Sequence, residues 1–229
     1  MARLYLRVEA PFAAYRGMQA GVYRASAPMM PPSAALGLVL NLAGVELRGD
    51  DSGVTTDIRA DAPRLRLALG LLGEPPGTGV LYQQLHSYPV GHSGKELRPL
   101  TQGAKYWIAP ARRELLLDLA ALIGIETDDT ALLGRVVAGL GGAFNDQRYG
   151  LPFAGDNNLL FDRIEVVPEP QPARWYTPVV PEGGPRRGSH RFTVGINRLD
   201  SSRTTTVLLA PLAEAQAEPP EEAWQWTPG

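Results

Sequence analysis

Cysteine is absent from the 229 residues, which removes disulfide frameworks, thiolate zinc sites and cysteine nucleophiles together. Lysine is scarce: of 22 basic residues only Lys95 and Lys105 are not arginine. Histidine is confined to His86, His92 and His190, with no ligand-like spacing to carboxylates, so neither a metal site nor a cofactor is expected. No apolar run approaches the roughly 18 residues that a membrane-spanning helix requires. The opening Met1-Ala2-Arg3-Leu4-Tyr5-Leu6 has no apolar core followed by a small-residue cleavage site. A cytoplasmic chain without a membrane partner is the expectation. The phosphate-cradling loop, the zinc-binding His-Glu-x-x-His, the nucleophile elbow and the dinucleotide fingerprint are all missing as well.

What remains is ordinary globular composition, 44% hydrophobic and 20% charged, suited to one large domain with a small appendage. The net charge of -2 argues at first against a nucleic-acid partner. Its distribution weakens the objection. The stretch after Pro211 carries Glu214, Glu218, Glu221 and Glu222 and no base, so the body before it is slightly basic. Nearly all of that basic charge is arginine, whose planar fork matches phosphates and base edges, although a GC-rich genome produces the same arginine-rich, lysine-poor composition.

Hydrophobic periodicity gives the order of elements. Arg3 to Ala10 alternates Leu4, Leu6 and Val8 with polar residues, the period of a half-buried strand. A loop from Pro11 to Pro32 holds Arg16, Gly17, Tyr23 and Arg24, and Ser33 then opens a helix over 34–42 closed by Gly44. Arg64 to Leu72 reads as a second strand and Val80 to Val90 as a third, separated by a Gly/Pro turn. Gly91 to Gly103 reads as a polar hairpin tip, and Lys105 to Ala109 as the returning strand. Arg112 to Ile125 fits a helix by its leucines and a strand by the helix start that follows. Thr127-Asp128-Asp129 caps a helix over 130–140, ended by Gly141-Gly142. A Gly/Asn-rich loop over 148–158 leads into a strand at Leu159 to Val167. Residues 168–188 read as irregular, 191–198 and 204–212 as a hairpin, and the acidic, Pro-rich 213–229 as disordered. This order defines an α+β chain with a ferredoxin-like (RNA-recognition-motif) domain over 1–167, an inserted β-hairpin near 80–109 and a small C-terminal β extension within 168–212.

Two kinds of chemistry fit. The acidic pairs Asp50-Asp51 and Asp128-Asp129 read as a polar loop and a helix start rather than as an acid/base couple. His86, Tyr88, His92, Lys95, Lys105 and Tyr106, on or beside the hairpin, include the types a metal-independent ribonuclease needs: a base for the 2′-hydroxyl and cations for the phosphorane. RNA binding without cleavage asks only for cations, helix-start amides, free glycine backbone and flat rings. Arg16, Tyr23, Arg24 and the start of the first helix supply these from one loop, and Arg148, Tyr149 and Gly150 from another.

The segments Leu6-Arg7-Val8-Glu9-Ala10-Pro11-Phe12-Ala13-Ala14-Tyr15-Arg16 and Met30-Pro31-Pro32-Ser33-Ala34-Ala35-Leu36-Gly37-Leu38, running on to Leu42-Ala43-Gly44, resemble the Cas-five family of CRISPR-associated (RAMP) proteins, with the DevS-type branch of type I systems nearest. Arg112-Arg113-Glu114-Leu115-Leu116 and the run from Tyr149-Gly150 to Asp156-Asn157 resemble its mid-chain strand and glycine-rich loop. The resemblance implies a ferredoxin-like domain with a protruding thumb hairpin, and it favours the strand at Arg112 to Ile125. It also implies a role: a subunit of a type I Cascade effector that caps the 5′ handle of the CRISPR RNA. Its neighbours there are a Cas-seven-type backbone subunit and a Cas-eight-type large subunit, and target DNA is met indirectly. By position the handle lies against Arg16, Arg24, Met30 and Ser33, with Arg148, Tyr149 and Gly150 closing over it and Lys105 and Arg112 at the thumb base. One branch of the family cuts precursor RNA with Tyr, Lys and an adjacent His. Here Lys105 is followed by Tyr106 and Trp107, so the pair is missing and a non-enzymatic role is expected. The alternative is an endoribonuclease using His86, Lys105 and Tyr106.

Overall fold

The computed structural model describes residues 1–17, 22–47, 49, 58–59, 61–87, 107–144, 150–180, 183–184, 186–197 and 201–228. The expectations for Asp50-Asp51 and for the tip at 91–103 lie outside these residues.

The chain is an α+β fold built on a mostly antiparallel sheet. Strand β1 (Ala2–Ala13) lies between β5 (Trp107–Thr127) and β6 (Arg163–Val167), and β5 pairs on its other side with β3 (Leu65–Leu71), giving the order β6-β1-β5-β3. Helix α1 (Pro32–Leu42) follows β1, and α2 (Thr130–Leu140) follows β5. Alternation along the strands sends Leu6, Val8, Leu67, Leu69, Ile123 and Ile125 into one core with Leu36, Val39 and Leu40 of α1 and Leu132 and Val136 of α2.

Helix α1 starts two residues before the expected position: Pro32 is its first residue, Pro31 precedes it, and no side chain caps it. Ser33 is therefore inside the helix and not its cap, because proline at the first turn already lacks the N–H that a cap would satisfy. Its other end is a Schellman closure, with the Val45 N–H donating to the Leu40 carbonyl (2.8 Å), Gly44 donating to Asn41 (3.0 Å), and Gly44 at φ 65°. Arg135 of α2 donates through Nε to the Ala43 carbonyl (2.9 Å), putting a cation on that C-terminus. At α2 the Asp129 carboxylate accepts from the Leu132 N–H (3.0 Å), the expected N-cap. Asp129→Ala should cost about 1 kcal/mol in chemical unfolding, whereas Asp128→Ala, whose exposed carboxylate meets the terminal amine at 3.4 Å, should be close to neutral.

The long segment at Arg112 to Ile125 is strand throughout, merged with the returning strand into the single β5. At about 3.3 Å per residue its 21 residues run roughly 70 Å, longer than the body of the sheet. Its first half pairs with β4 (Gly77–Ser87) as a ribbon, from Gly77↔Leu117 to Ser87↔Trp107. The change of partner from β3 to β4 falls between Ala121 and Leu117, next to Asp118, which has φ 57°. Opposite it on β1 is Pro11, which has no N–H for the ladder.

Two expectations for the C-terminal part fail. Residues 168–188 are not irregular throughout, since 174–178 form a strand: β7 (Arg174–Pro178) pairs with β3, and the sheet continues through β9 (Thr205–Pro211) to β8 (His190–Gly195). Nor is the acidic tail disordered. Strand β10 (Gln225–Thr227) pairs with Leu65–Leu67 of β3, and Gln216 bridges Ala173. Trp175 and Trp224 are buried at 0% and 5% exposure against the sheet face opposite the helices, with Tyr5, Ala68 and Leu122. Gly70 and Gly124 make this packing possible. A Cβ on Gly70 would sit 2.9 Å from Trp175, and one on Gly124 2.9 Å from Trp224. The tail's acids are engaged: Glu218 accepts from the Tyr5 hydroxyl (3.0 Å), and Glu221 pairs with Arg66. Arg66 also pairs with Glu126, a 3%-exposed carboxylate shared with Arg3 at 2.7 Å.

Among the described residues no helix is long and apolar enough to cross a membrane, and no group of three His, Asp or Glu could hold a metal.

Candidate nucleic-acid interface

The chain after β1 turns back on itself. The Tyr15 N–H donates to Ser26 Oγ (3.0 Å), the Ala27 N–H donates to the Tyr15 carbonyl (2.7 Å), and Arg16 bridges Ser26. Tyr15 is driven inside, and burial pushes its phenol well above the usual range. Arg16, the next residue, is exposed. Between these positions β2 (Tyr23–Arg24) lies parallel to β5, with Tyr23 opposite Arg112 and Arg24 opposite Arg113.

A second loop docks beside the first. The Ala14 N–H donates to the Ala154 carbonyl (2.9 Å), and Phe153 bridges Leu160. Gly155 has φ 84°, and a Cβ there would sit 2.3 Å from the Ala14 carbonyl oxygen. Only glycine combines that backbone conformation with that approach. The Asn41 amide of α1 donates to the Gly150 carbonyl (3.3 Å), anchoring the loop's start.

The two loops enclose an open cleft lined by Arg16, Arg113, Gly150, Leu151, Phe153, Gly155, Asp156, Asn157 and Leu160. Asp156 is its one carboxylate among the described residues. Burial would raise the pKa of that group, but the Asn158 N–H (3.0 Å) and the Arg113 guanidinium outweigh burial and hold it below the ordinary carboxylate range. The acid is thus neutralised inside the wall. Among the described residues neither Arg16 nor Arg24 enters an ion pair, and Leu151 and Phe153 are 70% and 48% exposed. An open groove combining cationic charge, a flat ring and unshielded glycine backbone suits a single-stranded polyanion better than a small enclosed ligand.

The expected site residues divide. Arg16 and Gly150 share the cleft, and Arg24 is beside Arg113 on the same face of β5. Ser33 is partly exposed in the first turn of α1. Met30 is a correction: at 1% exposure it belongs to the core with Met29, and its thioether has no route to a ligand. Arg112 is on the opposite face of β5 from Arg113, because successive side chains alternate. It donates through Nε to the Tyr82 hydroxyl, with its guanidinium 5.0 Å from that ring's centroid. His86 lies in β4 opposite Ile108, while Lys105, Tyr106, Arg148 and Tyr149 lie outside the described residues. Sequence inspection did not single out Tyr82 or Arg113. The register that brings Tyr82 beside Arg112 is set across residues 88–106, too long a connection for turn chemistry to fix it.

A family model described as CRISPR-associated protein (Cas_Cas5) matches residues 3–140, more than half of the chain. The chain belongs to this family. The match takes in β1 to α2, so both the Arg16 loop and the ribbon of this Cas-five protein fall within it. No curated protein matches the sequence. Among solved structures, a chain of a "CRISPR RNA-guided surveillance complex" superposes with a TM-score of 0.60 at 13% identity, covering 97% of this chain and 96% of that one. A structure described as "Crystal structure of Cas protein" gives 0.49 at 13% identity, covering 94% and 96%. At this identity the first of these speaks for a shared fold.

Proposed function

We propose that this Cas-five protein is a Cascade subunit that binds and caps the 5′ handle of the CRISPR RNA and does not cut it. The observation that carries the reading is the cleft in which Arg16, Phe153 and the Gly150–Asn157 backbone converge while Asp156 is neutralised by Arg113. The fold supports it. The antiparallel order β6-β1-β5-β3 with two helices on one face is a ferredoxin-like arrangement over residues 1–167, and the β4–β5 ribbon is its thumb. The fold shared with a chain of an RNA-guided surveillance complex agrees with membership of such an assembly. Its protein neighbours are a Cas-seven-type backbone subunit and a Cas-eight-type large subunit, with target DNA reached through the RNA. Arg24, Ser33, Lys105, Arg148 and Tyr149 complete the proposed contacts.

The test incubates the purified chain, in EDTA, with labelled single-repeat precursor RNA, and runs native and denaturing gels. Intact, shifted RNA whose binding requires the handle is the expected result. The double variant Arg16→Ala, Arg24→Ala should weaken binding by about 1–3 kcal/mol. It should also flatten the slope of affinity against salt by about 0.7 for each phosphate that is no longer neutralised. Unchanged binding would overturn the site. A discrete cut in the repeat would overturn the non-enzymatic reading and turn attention to His86, Lys105 and Tyr106.

A further inference from the structure

The face of the ribbon that points away from the Arg113–Asp156 pair carries a second constellation. Tyr23, Arg112 and Tyr82 are register partners on three adjacent strands, β2, β5 and β4, so they form one row across the sheet with their side chains on the same face. Both rings are open to solvent, Tyr23 at 49% and Tyr82 at 63% exposure. Neither is loose. Arg112 lies against the Tyr82 ring and donates to its hydroxyl, while the Tyr23 hydroxyl donates to Glu114 Oε2 at 2.5 Å. Glu114 is two residues along β5 from Arg112 and so on the same face, with Val80 as its partner on β4. Hydrogen bonding to Glu114 raises the Tyr23 phenol pKa, so the ring stays neutral.

Two aromatic planes with a guanidinium between them, kept in place by polar contacts rather than by burial, make a surface with flat faces already ordered. Its charge is balanced, Arg112 against Glu114. A phosphate would gain little there, because the nearby carboxylate offsets the cation. A neutral, flat, polarisable group gains from the rings and from the guanidinium plane alike.

Resting on the RNA-binding reading above, we propose that Tyr23, Arg112 and Tyr82 form a stacking shelf at the root of the ribbon that holds an unpaired nucleobase of the bound RNA, on the face opposite the cleft that takes its backbone. The two surfaces then divide the work. The Arg16 cleft supplies charge, and the shelf supplies stacking that is indifferent to salt.

The experiment uses the full chain and single-repeat RNA with 2-aminopurine placed at each unpaired position in turn. In the wild type, fluorescence should be quenched on binding at one position or two adjacent ones. Tyr82→Ala should abolish that quenching and weaken binding about tenfold, within the range that base–aromatic stacking supplies, while the slope of affinity against salt stays unchanged. Tyr82→Trp should restore both signals, which separates loss of the ring from loss of the fold. Three results would overturn the shelf. One is quenching that survives Tyr82→Ala together with Tyr23→Ala. Another is a shallower salt slope in Tyr82→Ala, which would mean a phosphate contact. The third is unchanged RNA affinity with weakened capture of the Cas-seven-type or Cas-eight-type subunit, which would make the row a protein contact. Those results leave the capping role standing, whereas a wild type that binds no RNA removes the role and the shelf together.

Discussion

Trp224→Ala should destabilise the protein by about 3–5 kcal/mol, the usual cost of truncating a fully packed indole. For a chain of this length that corresponds to a fall in Tm on the order of 10 °C. Trp224 is 5% exposed and seats on the sheet where Gly124 leaves room, with the Arg3 guanidinium 4.9 Å from its ring centroid. Trp226, two residues on, is 48% exposed with only Arg64 over its ring. Trp226→Ala should therefore cost about 1 kcal/mol or less. Thermal unfolding of the two variants side by side decides the matter. Equal, small effects would mean that the tail is not part of the folded body. A large effect from Trp224 alone places it in the second core.

The other large effect is expected from Gly155→Ala. The substitution imposes a positive φ on a residue with a Cβ, at about 1–3 kcal/mol, and drives that Cβ to 2.3 Å from the Ala14 carbonyl oxygen. Because the obstacle is backbone, it cannot rotate away. The loop must lift, and with it go the Ala14–Ala154 hydrogen bond and the seat of Asp156 on Arg113. Handle binding should fall by about tenfold or more. Gly150→Ala is the comparison: its φ is 74°, but a Cβ there meets nothing within 4 Å, so stability should drop by only about 1–2 kcal/mol. If Gly155→Ala unfolds no more readily than Gly150→Ala and binds RNA as the wild type does, the docked loop is not part of the site.

The central elements were legible because each carries its own pattern. The alternation of Leu4, Leu6 and Val8, the Asp129 cap and the Gly44 and Gly142 closures are local signals, and β1, α1 and α2 follow them. The order of elements gave the α+β class. The C-terminal part was misread for a physical reason. Composition counts Glu218 and Glu221 as solvated charge, yet their partners, Tyr5 and Arg66, are more than 150 residues away in sequence. Met30 was misassigned because a position in a family motif does not say which way a side chain points. Buried in the core, it shapes the loop from below. Arg16 was visible as a loop cation, but the neutralisation of Asp156 by Arg113, which gives the cleft its sign, depends on a contact between residues 43 apart.

Strand β5 serves as the middle of the body and as one rail of the ribbon without a break in the chain. The ribbon is therefore a cantilever and not a flap. It has no linker of its own on that side, and its pivot is the stretch around Asp118, where one partner strand has ended, the next is beginning and Pro11 leaves the ladder a bond short. From that fulcrum β5 pairs with β1 on one side, and through Tyr23 and Arg24 it is tied to the loop that carries Arg16. The ribbon and the loop that carries Arg16 thus share one continuous strand as their common support.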